Sequence, residues 1–291
     1  MAVMPEKFPE FREPAPVDVL QEYGTSLNPA MRFEFYKYAY PSIDPEDLIR
    51  ERLNLNGSES ILDVGCSNGA MLEALRNSGH TGKLIGIDIA FSLFAASVSS
   101  RERHPSLNPS IDFMVGNAED VPLADDSVDI SSALFMLYHC NPKKALMELK
   151  RVTKPGGTIV VSTSGPDNKI WHRAFEKLIA EKLGSTPSPR FNSAFDTNVA
   201  DLLLPQLFPP EAIEHIPHRG VVDLSNKPEN TANREAFSAS LLTMKDSMKP
   251  LPKYVEWKQT ESLIWELIDR TVNQEDLYEY IERDYYFCKN L

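Results

Sequence analysis

The sequence predicts an α/β fold built on a doubly wound, mostly parallel sheet. Three observations carry this. Short, largely apolar runs recur at Ile61–Val64, Leu84–Ile87, Ile111–Val115, Val128–Leu134 and Thr158–Ser162. Segments with helical periodicity lie between them. The turn Gly65-Cys66-Ser67-Asn68-Gly69 joins the first strand directly to the first helix. Strands that are apolar on both faces belong to parallel sheets covered by helices on both sides.

Taken in order, residues 1–56 read as an N-terminal helical extension. Within it, Met31–Tyr38 is an aromatic-rich stretch suited to a helix over a pocket. Asp44-Pro45 reads as an N-cap followed by proline at the first helical position, starting a short helix to about Leu53. Residues 57–165 form the α/β core. After the glycine turn, Ala70, Met71, Leu72, Ala74 and Leu75 mark a helix that closes near Gly79. A second helix is expected over about 91–100. Asn141-Pro142 caps a third, whose apolar positions are Ala145, Leu146, Leu149 and Val152. Lys154-Pro155-Gly156-Gly157 reads as a turn before the fifth strand. Residues 166–210 are proline-rich and read as an insertion or lid. Residues 211–291 are expected to complete the sheet and the acceptor side: a strand over Ile213–Leu224 interrupted at Pro217, helices near 230–248 and 256–271, a helix start at Asn273 with Asp276, and a last strand at Tyr285–Cys288.

The chain has 291 residues, 42% hydrophobic and 25% charged, with a formal net charge of −12. This is globular composition. The acidic balance argues against general nucleic-acid binding, which needs a basic footprint. The three cysteines, Cys66, Cys140 and Cys288, have no metal-type spacing, so neither a disulfide framework nor a structural zinc site is expected. The first residues lack the apolar run of a signal peptide, and no stretch approaches the ~20 apolar residues of a membrane span. The expectation is a soluble cytoplasmic protein without a metal.

The glycine turn places Gly65 and Gly69 where backbone approaches a ligand closely. A dinucleotide fingerprint would need G-x-G-x-x-G, whereas this chain has Gly65, Ser67 and Ala70. Asp63 closes the first strand two residues before Gly65. A carboxylate there disfavours a pyrophosphate and suits a cation such as an amino-acid ammonium. Asp88 closes the second strand, where an acid accepts hydrogen bonds from ribose hydroxyls. Gly116-Asn117-Ala118-Glu119 follows the third strand, where an adenine edge fits.

These stretches together resemble the class I S-adenosylmethionine (SAM) dependent methyltransferases, in particular the small-molecule group similar to the ubiquinone and menaquinone biosynthesis enzymes. The resemblance rests on Ile61–Gly69, Ile85–Asp88, Gly116–Leu123, Asp126–Asp129, Met136–His139 and Glu148–Thr163, in order and over about residues 55–165. It implies the Rossmann-like fold of that class and SAM as cofactor, with S-adenosylhomocysteine as product. It places Asp63, Gly65, Cys66, Ser67 and Gly69 around the methionine part. Asp88 would hold the ribose, with Ile89, Asn117, Ala118, Glu119 and Leu134 beside the base and the rest of the cofactor. Asn117 stands where the family often has Asp; its amide oxygen still accepts a hydrogen bond. Leu134-Phe135 replaces a polar pair found in relatives, which makes the acceptor side unusually apolar.

SAM carries an already activated methyl group, so alignment and exclusion of water are the main tasks and a base is optional. His139, just past the fourth strand, is the candidate general base, against a structural role orienting its loop. Tyr138 beside it is a second catalytic candidate, against core packing. Tyr23 and His172 are candidate acceptor contacts. The buried-looking Cys66 and Cys140 read as packing residues. The leading expectation is methyl transfer to a small molecule. The alternatives are a protein or RNA methyltransferase on the same core, and a non-catalytic SAM-binding protein. Against nucleic-acid amino methylation, the fourth strand ends Ser131-Ser132-Ala133-Leu134, without the Asn/Asp-Pro-Pro-aromatic motif.

Overall fold

The computed structural model describes residues 35–42, 45–89, 111–182, 184, 186, 194–225, 227–242, 262, 263, 265–267, 270 and 277–291. Its elements are α1 (Pro45–Leu53), β1 (Ile61–Val64), α2 (Ala70–Asn77), β2 (Leu84–Asp88), β3 (Asp112–Val115), β4 (Val128–Leu134), α3 (Pro142–Val152), β5 (Thr153–Ser164), α4 (Ile170–Lys182), α5 (Thr197–Leu207), β6 (Ile213–Asp223), α6 (Thr231–Leu242) and β7 (Tyr278–Lys289). The seven strands form one sheet in the order β3-β2-β1-β4-β5-β7-β6. β1 to β5 are mutually parallel, and β7 lies antiparallel between β5 and β6. This is the mostly parallel, helix-covered sheet that the sequence predicts.

The strand order switches between β1 and β4, and the carboxyl ends of the strands beside such a switch are the usual ligand position in these sheets. Two apolar layers hold the sheet. Leu62, Val64, Ile85 and Ile87 pack with Leu146 and Leu149 of α3 and Leu203 and Leu204 of α5. On the other face Ile61, Leu84, Ile130, Val160, Tyr285 and Phe287 pack with Leu72 and Leu75 of α2 and Ile49 of α1. A third cluster, above the outer half, gathers Phe35, Phe175, Ile179, Val222, Phe237 and Ile281.

Local chemistry explains the boundaries. Asn141 caps α3 by accepting from the Lys144 N–H at 3.2 Å, with Pro142 behind it. Asp196 caps α5 through the Val199 N–H at 3.1 Å. Several expectations need correction. β5 starts at Thr153, not Thr158: the pairing with β4 shifts between Val128 and Ile130, and the Lys154–Gly157 turn bulges out there, with Gly156 at φ +79°. β6 runs unbroken through Pro217, because an edge strand can place a residue that lacks an N–H donor. β7 is 12 residues long, far beyond Tyr285–Cys288. The aromatic stretch is not one helix to Tyr38: residues 35–36 are helical, 37–38 turn, and Tyr40 bridges to Val221. Residues 166–210 contribute α4 and α5. The expected helix at 91–100, the Asp44 cap and the Asn273–Asp276 start lie outside the described residues. No helix among the described residues is long and apolar enough to cross a membrane.

Candidate active site

The glycine turn is pinned to the end of β2. The Gly65 and Cys66 N–H groups donate to the Ile87 carbonyl at 2.7 and 3.1 Å. Gly65 has φ +72°, and a Cβ there would stand 2.7 Å from Met136 Cγ, just beyond β4. Gly69 has φ +78° and lies against the Phe113 ring. These two positions need glycine for both dihedral and space. Ser67 takes the left-handed region at φ +52° without being glycine, which costs of order 1 kcal/mol. Its N–H is held by Asp88 Oδ2 at 2.9 Å.

The two acids differ. Asp88 is half-buried at the tip of β2 and ties that tip to the turn. Asp63 is 5% exposed beneath the turn, and its Oδ1 accepts from Ser132 Oγ at 2.7 Å. The Cys66 thiol sits among them and is pushed far up by burial and then by Asp63 and Asp88. It is therefore neutral and no nucleophile. Burial, with Glu119 second, pushes Cys140 up to about 12. A turn with backbone held open by glycine and a rim carboxylate at the next strand fits a ligand with a ribose and a cationic amino-acid tail.

The remaining expected cofactor residues divide. Ile89 is half-buried directly after Asp88, and Leu134 is half-buried at the end of β4. Ala118 is buried. Asn117 is exposed, and its Oδ1 already accepts from the Glu119 N–H at 3.0 Å, shaping the turn. Glu119 is directed at α3: Oε1 accepts from the Asn141 N–H at 2.8 Å and Oε2 lies 3.3 Å from Lys144 Nζ. In the structure it clamps the α3 N-terminus, where a negative charge is favourable. Tyr138 and His139 share the short 3₁₀ turn Leu137–His139, both half-buried, with ring centroids 4.5 Å apart.

On the acceptor side the structure corrects His172. It is 1% exposed on α4, packed against Phe35 and Phe237 in the third apolar cluster, so it faces core and not a crevice. Its N–H is bonded by buried Glu279 Oε2 at 2.6 Å, and the Trp171 N–H by Oε1 at 3.1 Å. Glu279 thus caps α4 from a strand 107 positions away, a role no local spacing reveals. Burial pushes its carboxyl up to about 7, against the three backbone N–H groups and Lys169 that pull it down. Tyr23 lies outside the described residues.

Other residues meet above β4 instead. Phe135 follows β4 at φ +52°, a strained position of the kind that gathers at functional sites. Tyr285 packs edge-on against its ring at 5.9 Å. The Arg283 guanidinium lies 5.6 Å from the Phe135 ring and 4.0 Å from Tyr36. Lys169 Nζ lies 4.3 Å from the Tyr36 ring. Burial opposes ionisation of the Tyr36 phenol, but Lys169 and Arg283 outweigh it and lower its pKa. A separate surface groove lined by Asp125, Lys150, Arg151, Gln206 and Leu291 contains none of the predicted site residues.

With this geometry in place, comparison with known proteins defines the class. Residues 62–161 match the family model for a methyltransferase domain. A demethylmenaquinone methyltransferase of Renibacterium salmoninarum is 36% identical over 139 residues, covering 45% of this chain and 55% of its own length. The chain thus spans about half the length of the curated relatives it matches. Among solved structures, a candidate methyltransferase from an antibiotic biosynthesis pathway of Anabaena variabilis superposes with a TM-score of 0.54 at 17% identity, covering 84% of this chain and 96% of that one. The 4+2 cyclase SpnF superposes with a TM-score of 0.52 at 18% identity, covering 84% and 79%. These structural likenesses concern the fold. Residues 62–161 thus match a methyltransferase domain, and they lie on a sheet with the class I methyltransferase fold. The chain resembles the quinone-biosynthesis enzymes of that class.

Proposed function

We propose that this chain transfers the methyl group of SAM to a small-molecule acceptor in the cytoplasm. The observation that carries this is the tie between Asp88 and Ser67 at the carboxyl ends of β1 and β2. On this reading the Asp88 carboxylate serves the ribose, beside a backbone turn that receives the methionine part. When bound, SAM supplies a methyl group activated by its sulfonium. Gly65 and Gly69 let the main chain come close, and Asp88 accepts from the ribose hydroxyls. Asp63 places negative charge below the amino-acid end, and Ile89 and Ala118 offer apolar contact to the base. Residues 1–56, 166–210 and 211–291 are taken to enclose the acceptor around the 57–165 core.

The chain's own contribution to the step is alignment and exclusion of water, which supplies several kcal/mol. Bound SAM would supply the methyl to the acceptor's nucleophilic atom with the electron pair going back to sulfur, and a proton on the acceptor would leave to water or to His139, with Tyr138 packed against that ring. The quinone-biosynthesis relatives support a small acceptor, and the net charge of −12 weighs against RNA. Protein methylation, or SAM binding without transfer, are the readings to be excluded; a cyclase of this fold shows that fold alone does not fix the reaction. The test is incubation of purified protein with methyl-labelled SAM and a fractionated cell extract. Label is expected in a small product, and label in protein or RNA would refute the small-molecule reading.

A further inference from the structure

One face of β7 carries two apolar clusters, one reaching down to Ile281 and the other starting at Tyr285. Between them stands Arg283, 9% exposed. Arginine this buried is ordinarily paired with a carboxylate, since an uncompensated buried charge is costly. Three carboxylates lie within four positions of it on the same strand, and each is engaged elsewhere. Glu279 caps α4. Glu282 faces Arg219 at 3.5 Å and the Asp167 N–H. Asp284, fully buried, accepts from Thr197, His215 and Arg219. Among the described residues Arg283 makes no ion pair; its guanidinium has only the faces of Tyr36 and Phe135.

The surroundings add positive charge. Lys169 Nζ lies 4.3 Å from the centre of the same Tyr36 ring. His218 is paired with Arg283 in the β6–β7 register and is 6% exposed, and burial, then Arg283 and Arg219, lower its pKa. Arg283 also pairs in register with Ser164 at the carboxyl end of β5, so the cluster stands at the ligand rim of the sheet. Phe135, the residue that touches Arg283, is one position from Met136, which packs on Gly65 of the cofactor turn.

We infer that the acceptor bears an anionic oxyacid group, a carboxylate or a phosphate, which Arg283 binds with Lys169 beside Phe135. The inference rests on the methyltransferase reading for the word acceptor. A guanidinium matches either oxyacid through two parallel hydrogen bonds. The aromatic faces hold its plane in place before the ligand arrives. The arrangement suits a charged acceptor better than a wholly apolar one, and it qualifies the apolar expectation drawn from Leu134-Phe135.

The test is calorimetric titration of the full chain with inorganic phosphate, with succinate and with uncharged succinamide. One or both anions are expected to bind and succinamide is not. Phosphate alone assigns a phosphoryl group, and succinate alone a carboxylate. Arg283→Met should weaken the anion at least tenfold while SAM affinity stays within threefold of the parent. If that variant does not fold, Lys169→Met is titrated instead and should weaken the anion at least threefold. Absence of anion binding, equal binding of succinamide, or unchanged affinity in the variant overturns the proposal. Titration with SAM separates the two readings. Anion binding without SAM binding refutes the methyltransferase reading and leaves an anion site, whereas SAM binding without anion binding removes the anionic acceptor alone.

Discussion

Above β1 and β2 the residues that meet are close in sequence: Ser67 bonds Asp88 across 21 positions. Above β5 and β7 they come from the two ends of the chain, with Tyr36 against Arg283. The first rim is built from a strand, a turn and the next strand, and its shape is set by main-chain dihedrals. The second exists only once β6 and β7 have paired and α4 has docked on them. Changes to the first should therefore act on cofactor binding with little effect beyond their own strain. Changes to the second should act on stability or on the acceptor and spare the cofactor.

The largest effect is expected at Gly65→Ala. The left-handed dihedral costs about 1 kcal/mol, and overlap with Met136 forces the turn or β4 to move. SAM affinity measured by calorimetry should fall by at least ~100-fold, about 3 kcal/mol. A variant that binds as the parent does would show that the turn is not the cofactor cradle. Asp88→Ala comes next, with a loss of roughly 30–100-fold from two charge-assisted hydrogen bonds and an unfolding midpoint close to the parent. A large loss of stability there would erase the distinction between the rims.

Glu279→Ala tests the other side. It removes the cap of α4 and leaves the His172 and Trp171 N–H groups unmet, so chemical denaturation should show a loss of about 2 kcal/mol with SAM affinity unchanged. Glu279→Gln sharpens this through pH. The folded carboxyl titrates at about 7, and an unfolded one near ~4.3. The fold thus favours the neutral form. Its contribution is full below about pH 4 and is lost as pH rises through 7. The stability of the parent relative to the Gln variant should decline across that window, and a flat difference would contradict the buried carboxyl. The smallest effect is expected at His139→Ala: turnover at saturating SAM should fall by less than ~10-fold, about 1 kcal/mol, because alignment does most of the work. A loss of ~10³-fold would make His139 an obligatory base.

The same contrast explains what was legible in the sequence. Apolar runs, Gly65, Gly69 and Asp88 gave the core and its first rim, because short strands and positive-φ turns have local signatures. Asn141-Pro142 marked the start of α3 for the same reason. The extent of β7, the continuity of β6 through Pro217 and the bulge at Lys154–Gly157 depend on which strand lies alongside, and no local pattern encodes that. The contact of Glu119 with the α3 N-terminus, 22 positions on, has no local signature either. His172, polar and near Trp171, reads as a ligand contact until Phe35 and Phe237 are seen to bury it. Arg283 and Glu279 carry no motif at all; only the antiparallel register assigns them.

The central claim is that the first rim holds SAM. Native mass spectrometry of the purified full chain, after addition of SAM and NAD in equal amounts, tests it most directly. The account predicts a complex of one SAM, or of its demethylated product, per chain. A complex with NAD, or a chain that retains neither, would contradict it.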